Sequence, residues 1–374
     1  MRQHRIALIP GDGIGSDVIQ AGRRVLDALA EADGGFAFDF ESFDWGSDRY
    51  RRVGRMMPED GVDALRSFDA IYFGAVGDPQ IPDHITLWEL RLAICQGLDQ
   101  YANVRPSRLL PNIAGPLRPE LGREIDWVIV RENSEGEYAG AGGRAHRGLP
   151  IEVGLDVSVF TRAGVERIAR FACELAMSRP RRKLTIVTKS NAQRHGMVLW
   201  DEVCRSVVKD FPALDVDWML VDAMTMRMVL RPGTIDTVLA TNLHADVLSD
   251  LASALSGSLG IGATGNLAPD RSVPSMFEPI HGSGFDLIGK GIANPIGAFW
   301  TAVLMLDHLG ESDAAARLMA AIEQVTAEGA ALTPDLGGTA RTDDVTAAVI
   351  DIIKGKNDAE ARLQRSNAQK VGAL

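Results

Sequence analysis

The sequence predicts an α/β fold: a largely parallel sheet, covered by helices on both faces and divided between two structural units. Three observations predict it. Short apolar runs end at glycine or polar turns and are each trailed by a helical pattern, the alternation from which parallel sheets are built. At 374 residues the chain is long enough for two cores. Its composition, 46% hydrophobic and 24% charged, is that of an ordinary globular protein.

The elements follow in order. Arg5 to Ile9 is a short β-like run stopped by Pro10, and Ser16 to Ala32 then carries the apolar spacing of an amphipathic helix. "FDAIYFGAVG" reads as a buried strand running into a glycine turn, "KLTIVTK" as another and "IDTVLATN" as a third. "GGRAHRGLPIEVGLDVSVF" breaks the pattern, being glycine-rich and then alternating, as in a hairpin or arm. Helices over "NPIGAFWTAVLMLDHLG" and "SDAAARLMAAIEQVTAEG" close the globule, and the polar stretch after Lys354 reads as a loose tail.

Charge and composition exclude several classes. With a formal net charge of -11 and no basic run, nucleic acid is not an expected partner. No apolar run reaches membrane-spanning length, and "MRQHRIALIPGDG" lacks the apolar core of a signal peptide, so no membrane partner is expected either. Cys95, Cys173 and Cys204 are far apart and lack paired metal-ligand spacing, which points to unbridged thiols in a reducing, cytoplasmic setting.

Several stretches can carry chemistry. "NLHADVLSD" places Asp246 and Asp250 one helical turn apart with no Lys or Arg among its nine residues, either an exposed, tolerated pair or half of a cation site. "MLVDAMTMRMV" sets Asp222 after a strand, giving three carboxylates suited to a hard ion such as Mg²⁺ or Mn²⁺. Arg105 in "YANVRP" and Arg131 in "WVIVRENSEGEYAG" follow strand-like runs, with Tyr138 seven residues on. Guanidinium forks there suit a carboxylate substrate. Lys189 in "IVTKSNAQRHG" ends a buried strand, where desolvation can turn a lysine into a general base or acid. "GDGIG", Gly11 to Gly15, follows a strand and opens a helix, but Ser16 stands where the dinucleotide fingerprint needs its third glycine. It therefore supports only a tight turn at which backbone passes close to something. The loop from His281 to Asn294 can wrap an adenine nucleotide, with Asp286 placed to receive ribose hydroxyls.

Taken together, "IPGDGIG", "GAVGDP", "NVRP", "VRENSEGEY", "TKSN", "VDAM", "ATNLHADVLSD" and "EPIHGSGFDLIGKGIANP" resemble the β-decarboxylating dehydrogenases, the family of isocitrate and isopropylmalate dehydrogenases, as far as about Gly338. The resemblance implies the isocitrate/isopropylmalate dehydrogenase-like two-domain α/β fold, not a Rossmann fold. Residues 1–103 plus 257–374 would form an NAD-binding domain. Residues 104–256 would form the substrate, metal and dimerisation domain, with an arm around 140–160 that clasps a partner. It further implies a homodimer with shared active sites, Lys189 and Asp222 arriving from the other chain.

In that scheme Asp222, Asp246 and Asp250 hold the divalent metal, Lys189 is the general base and Tyr138 the proton donor. Arg105, Arg131 and Asn191 bind substrate. NAD lies along Gly74, Ala75, Val76 and Gly77, and along His281, Gly282, Ser283, Asp286 and Asn294; K⁺ is a candidate accessory ion. Asp286 suits NAD, since a carboxylate repels the extra phosphate of NADP. One departure matters: family members usually carry another arginine ten residues before Arg105, where this chain has Cys95. Arg91, one turn earlier, is the expected replacement. No leucine pair marks an isopropyl pocket, so the expected substrate is a small C4 hydroxy diacid, tartrate or D-malate. A 3-isopropylmalate dehydrogenase is the alternative within the family, and metal-assisted phosphoryl transfer or a non-enzymatic NAD-binding module the alternatives outside it. The former lacks any "GxxxxGK[ST]" loop here.

Overall fold

The computed structural model describes residues 1–355, and the expected tail lies, from residue 356 on, outside the described residues. The chain divides into two compact units, Met1–Leu90 with Leu110–Ile113 and Phe277–Leu374, and Arg91–Leu109 with Ala114–Met276.

In the first unit, β1 (Arg2–Gly11) lies parallel to both β2 (Phe36–Ser42) and β3 (Ala70–Ala75). Ile6 to Ile9 and all of β3 are buried, the continuous apolar reading of a strand covered on both faces. The Gly15–Asp33 helix buries Val18, Ile19, Val25, Leu26 and Leu29, which recur at three- and four-residue spacing. It stops at Gly34, left-handed at φ 75°, whose N–H bonds Ala30 O. Gly22 on its inner face is needed for close approach: a Cβ there would lie 2.1 Å from the Tyr72 hydroxyl, which donates to Ala298 O at 2.7 Å. The Ile296–His308 helix is apolar on nearly every side and correspondingly buried.

The second unit holds β4 (Ala102–Arg108), β5 (Asp126–Glu132), β6 (Gly136–Ala145), β7 (Val153–Val159), β8 (Lys183–Thr188), β9 (Asp215–Leu220), β10 (Thr237–Ala240) and β11 (Ala263–Leu267). Its sheet runs β11-β4-β5-β10-β8-β9. The stretch from β5 to β9 is parallel as expected, but β4 is antiparallel to both β5 and β11, so the sheet is mixed. Ladders of β4 with β5 and β11 also draw residues 91–103 and 257–276 into this unit, whereas the sequence reading places them in the other. Alternation sorts the core: Leu184, Ile186 and Leu239 pack with the Arg162–Ser178 and Gly196–Val207 helices. Val187 and Val238 face the other way, onto Met224, Met228, Ala245 and Leu248.

β6 and β7 form a separate antiparallel hairpin, the arm. Leu149, Ile151, Val153, Leu155 and Val157 along it are 45–64% exposed. Among the described residues the three cysteines form no disulfide, and all three are buried. Finally, β12 (Ser275–Pro279) carries the chain from the second unit into the first.

Candidate active site

Three buried arginines gather in the second unit. β4 points Asn103 and Arg105 to one face, two residues apart. Arg105 Nε donates to Asn103 Oδ1 at 3.0 Å and its NH1 to Ser249 Oγ at 2.6 Å, 3.4 Å from the Asp246 carboxylate. Arg131, 2% exposed near the end of β5, donates from Nε to Asn242 Oδ1 at 2.8 Å and forms an ion pair with Asp246. Arg91, 8% exposed, donates to Asn266 Oδ1 at 3.4 Å; that oxygen also accepts from Asn103 at 2.7 Å and Asn133 at 3.1 Å. Neutral amide oxygens thus orient all three guanidinium groups, and a donor in such a fixed fork recognises a carboxylate without rearranging.

Asp246 and Asp250 lie one turn apart on the Asn242–Leu255 helix. Burial alone would push the Asp246 carboxyl up, but Arg131, Arg105 and Arg91 outweigh it and hold the group below its ordinary value. Desolvation, then the charge of Asp246, raises the Asp250 carboxyl. Tyr138, half-buried on β6, points its hydroxyl toward Asp246 Oδ2 at 3.4 Å, with the Arg131 guanidinium 5.2 Å from its ring centre. Burial first, and then Asp246, raise the Tyr138 hydroxyl, which keeps its proton at neutral pH and can donate it.

Arg91 therefore acts electrostatically on both Asp246 and Tyr138. Its segment is not the ordinary helix expected: Leu87–Leu92 is π-helical, with i→i+5 bonding, before α-helical geometry resumes at Ala93–Gly97. A plain four-residue turn consequently does not describe how Arg91 relates to the fully buried Cys95.

Lys189 and Asp222 form a separate group. Lys189 sits just past β8, 29% exposed and ion-paired with Asp222, so it is not sealed into the core as a strand-end reading suggests. The Lys189 hydrogen bond holds the Asp222 carboxyl below its ordinary value. Asn191 is exposed two residues on. Among the described residues no three His, Cys, Asp or Glu side chains gather closely enough to hold a metal, so within one chain Asp222 does not join Asp246 and Asp250. Two of the three carboxylates fit a hard divalent cation, since like charges on one turn favour an intervening positive ion.

The nucleotide candidates lie in the first unit. Gly74 and Ala75 end β3; a Cβ on Gly74 would meet Pro10 O at 2.2 Å, and Gly77 adopts φ 127°. His281 Nδ1 lies 3.0 Å from Gly282 O, while its Nε2 is buried with no hydrogen-bond partner among the described residues, an orphaned polar atom of the kind a ligand satisfies. Burial lowers the His281 imidazole, leaving it neutral. Gly282 and Asp286 are exposed, and Ser283 O accepts from Ile14 N at 2.8 Å. Asn294 already uses its amide inside the protein, donating to Asp335 at 2.9 Å and accepting from Ile296 N at 3.0 Å at the helix start.

Sequence reasoning missed Asn103, Asn242, Asn266 and Ser249. Only Asn103 left a signal, its two-residue offset from Arg105 on a strand.

The chain matches the Isocitrate/isopropylmalate dehydrogenase family over residues 5–351. It is 64% identical to a probable tartrate dehydrogenase/decarboxylase of Agrobacterium vitis, over 96% of this chain and 99% of that one. It is 48% identical to a D-malate dehydrogenase (decarboxylating) of Escherichia coli strain K12, over 94% and 99%. An isocitrate dehydrogenase structure from Methylococcus capsulatus superposes with a TM-score of 0.85 at 33% identity, covering 94% of this chain and 99% of that one. The protein is a member of the isocitrate/isopropylmalate dehydrogenase family.

Proposed function

We propose that the protein is an NAD-dependent, divalent-metal-dependent dehydrogenase that oxidises tartrate and converts D-malate to pyruvate and CO₂. The observation that carries this reading is the convergence of Arg91, Arg105 and Arg131 around Asp246 and Tyr138, a site charged for both ends of a short diacid. The names of the relatives support the same chemistry.

Arg105 and Arg131 orient the carboxylate beside the reacting hydroxyl, and Arg91 receives the far one. Asp246 and Asp250 would hold Mg²⁺ or Mn²⁺, with Asp222 from a second copy of the chain. When bound, the cation supplies Lewis acidity toward the hydroxyl and its neighbouring carboxylate. Residues 74–77 and 281–294 would hold NAD, which would supply the hydride acceptor. Lys189 takes the hydroxyl proton. After CO₂ leaves, the protonated Tyr138 returns a proton to carbon. The sum is one C–H and one O–H bond broken in D-malate, one C–C bond cleaved, and NADH, CO₂ and pyruvate formed.

Exposed apolar side chains support the dimer. Met226 and Leu230 share a helix with Asp222, and Leu243 and Val247 share one with Asp246; all are 40–63% exposed, and the apolar run of the arm is exposed likewise, at 45–64%.

A substrate panel tests the reading. NADH formation from D-malate or tartrate with Mn²⁺ should exceed that from 3-isopropylmalate by about tenfold or more, because the acids share both carboxylates and differ in an apolar branch, and a misfitted apolar group changes kcat/KM by roughly 10- to 200-fold. Faster turnover of 3-isopropylmalate would overturn it. Arg91→Leu should raise KM for D-malate about tenfold or more with the NAD constant unchanged, because a lost charged hydrogen bond to the bound substrate appears in KM. An unaltered KM would remove Arg91 from the site.

A further inference from the structure

The "GDGIG" turn has no part in the chemistry above, yet it is tied to three other segments of the first unit. Asp12, 5% exposed, accepts three hydrogen bonds: from Ser47 N at 2.6 Å, Ser47 Oγ at 2.7 Å and Gly77 N at 2.9 Å. Its own N–H donates to Ala75 O at 2.9 Å, and Ile14 N donates to Ser283 O at 2.8 Å. One turn thereby holds both stretches read as the dinucleotide site.

The glycines make the same point. Gly11 and Gly13 sit at φ 70° and 58°, and a Cβ on either would come 1.9 Å from a carbonyl oxygen, that of Ala75 or of Ser283. Ser47 begins a short helix whose Arg51 forms an ion pair with Asp78, 3% exposed and next to Gly77. Residues 77 and 78 are thus fixed from two directions. An amide such as Gly77 N, bonded to a buried carboxylate, cannot also turn toward a phosphate, so Asp12 decides which backbone groups the loop leaves open.

We propose that Asp12 is a positioning residue for the dinucleotide: it sets the conformation of the 74–77 loop, and the turn carrying it registers that loop against residues 281–286. The inference rests on the reading of those two segments as the NAD site.

The test is NADH binding by fluorescence, needing neither metal nor turnover, alongside KM for NAD and for D-malate. Asp12→Asn keeps an acceptor for Ser47 but presents an NH₂ group where Gly77 N donates. It should weaken NADH binding about tenfold, with KM for NAD rising in parallel and KM for D-malate within about twofold. Ser47→Ala removes one of the three bonds and should weaken binding about threefold; it decides the matter if Asp12→Asn does not fold. Glu311→Gln serves as the stability control. Glu311 bonds Arg2 and His4 at 2.7 and 2.8 Å elsewhere in the unit, and its loss should lower Tm without moving NADH binding. Unchanged binding in Asp12→Asn, or an equal change in the Glu311 control, overturns the positioning role alone. Wild-type protein that fails to bind NADH overturns the cofactor reading beneath it.

Discussion

Asp246→Asn is expected to lower kcat by about a thousandfold or more while the protein stays folded, because it removes charge from the place where the proposed cation would be held and the transition state would build its own. Asparagine has the shape of aspartate and still offers an oxygen to Arg131, which also keeps its bond to Asn242. Arg131 is 2% exposed, so a weaker partner costs some stability, seen as a lower Tm with an unchanged circular dichroism spectrum. The decisive measurement is a Mn²⁺ titration of the residual activity. The half-saturating concentration should rise steeply; a curve superimposable on that of the wild type would remove Asp246 from the metal site.

Lys189→Met is the second large effect, a fall in kcat of about 10²- to 10⁴-fold, the usual contribution of a positioned general base. Little else should change. The side chain is 29% exposed and its hydrogen bond goes to the exposed Asp222, so Tm should hold and NADH should bind as before. Activity within about tenfold of wild type would assign the proton transfer to another group. If sites are shared between two chains, a mixed dimer of Lys189→Met and Asp246→Asn chains regains activity, since one of its two sites then carries both native residues. Two preparations merely combined without exchange of subunits stay inactive.

Much of this was legible because strands and amphipathic helices leave periodic traces. β3, β8 and β10 are apparent as apolar runs, and Arg131 is apparent near a strand end; Arg105, expected just after a strand, lies instead within β4, and Arg91 lies on no strand. The antiparallel course of β4 is not apparent, because an apolar run says nothing about direction; the connection decides it. Nor is the π-helix at Leu87–Leu92, whose widened turn depends on backbone bonding that no side-chain pattern records. The asparagines escaped for a different reason. Asn242 and Asn266 are far from Arg131 and Arg91 in sequence and meet them only through tertiary packing. Asp222 shares only its residue type with Asp246 and Asp250; within one chain its bonded neighbour is Lys189, and the resemblance assigns that pair to the other subunit's site.

The first unit is assembled from both ends of the chain, and that imposes an order on its birth at the ribosome. β1, β2 and β3 emerge early, but the Ile296–His308 helix, whose Ala298 carbonyl receives the Tyr72 hydroxyl, comes after residues 91–276 have been made. At about 5–20 residues per second, that delay is roughly 10–40 s. During it the inserted unit can finish folding, while Ile71, Tyr72 and Phe73, buried in the complete protein, have the Gly15–Asp33 helix beside them but lack the cover of the Ile296–His308 helix. Nascent chains therefore pass through a stage with one finished body and one sticky, half-built sheet. It is then, rather than in the mature enzyme, that aggregation and the need for chaperones are concentrated.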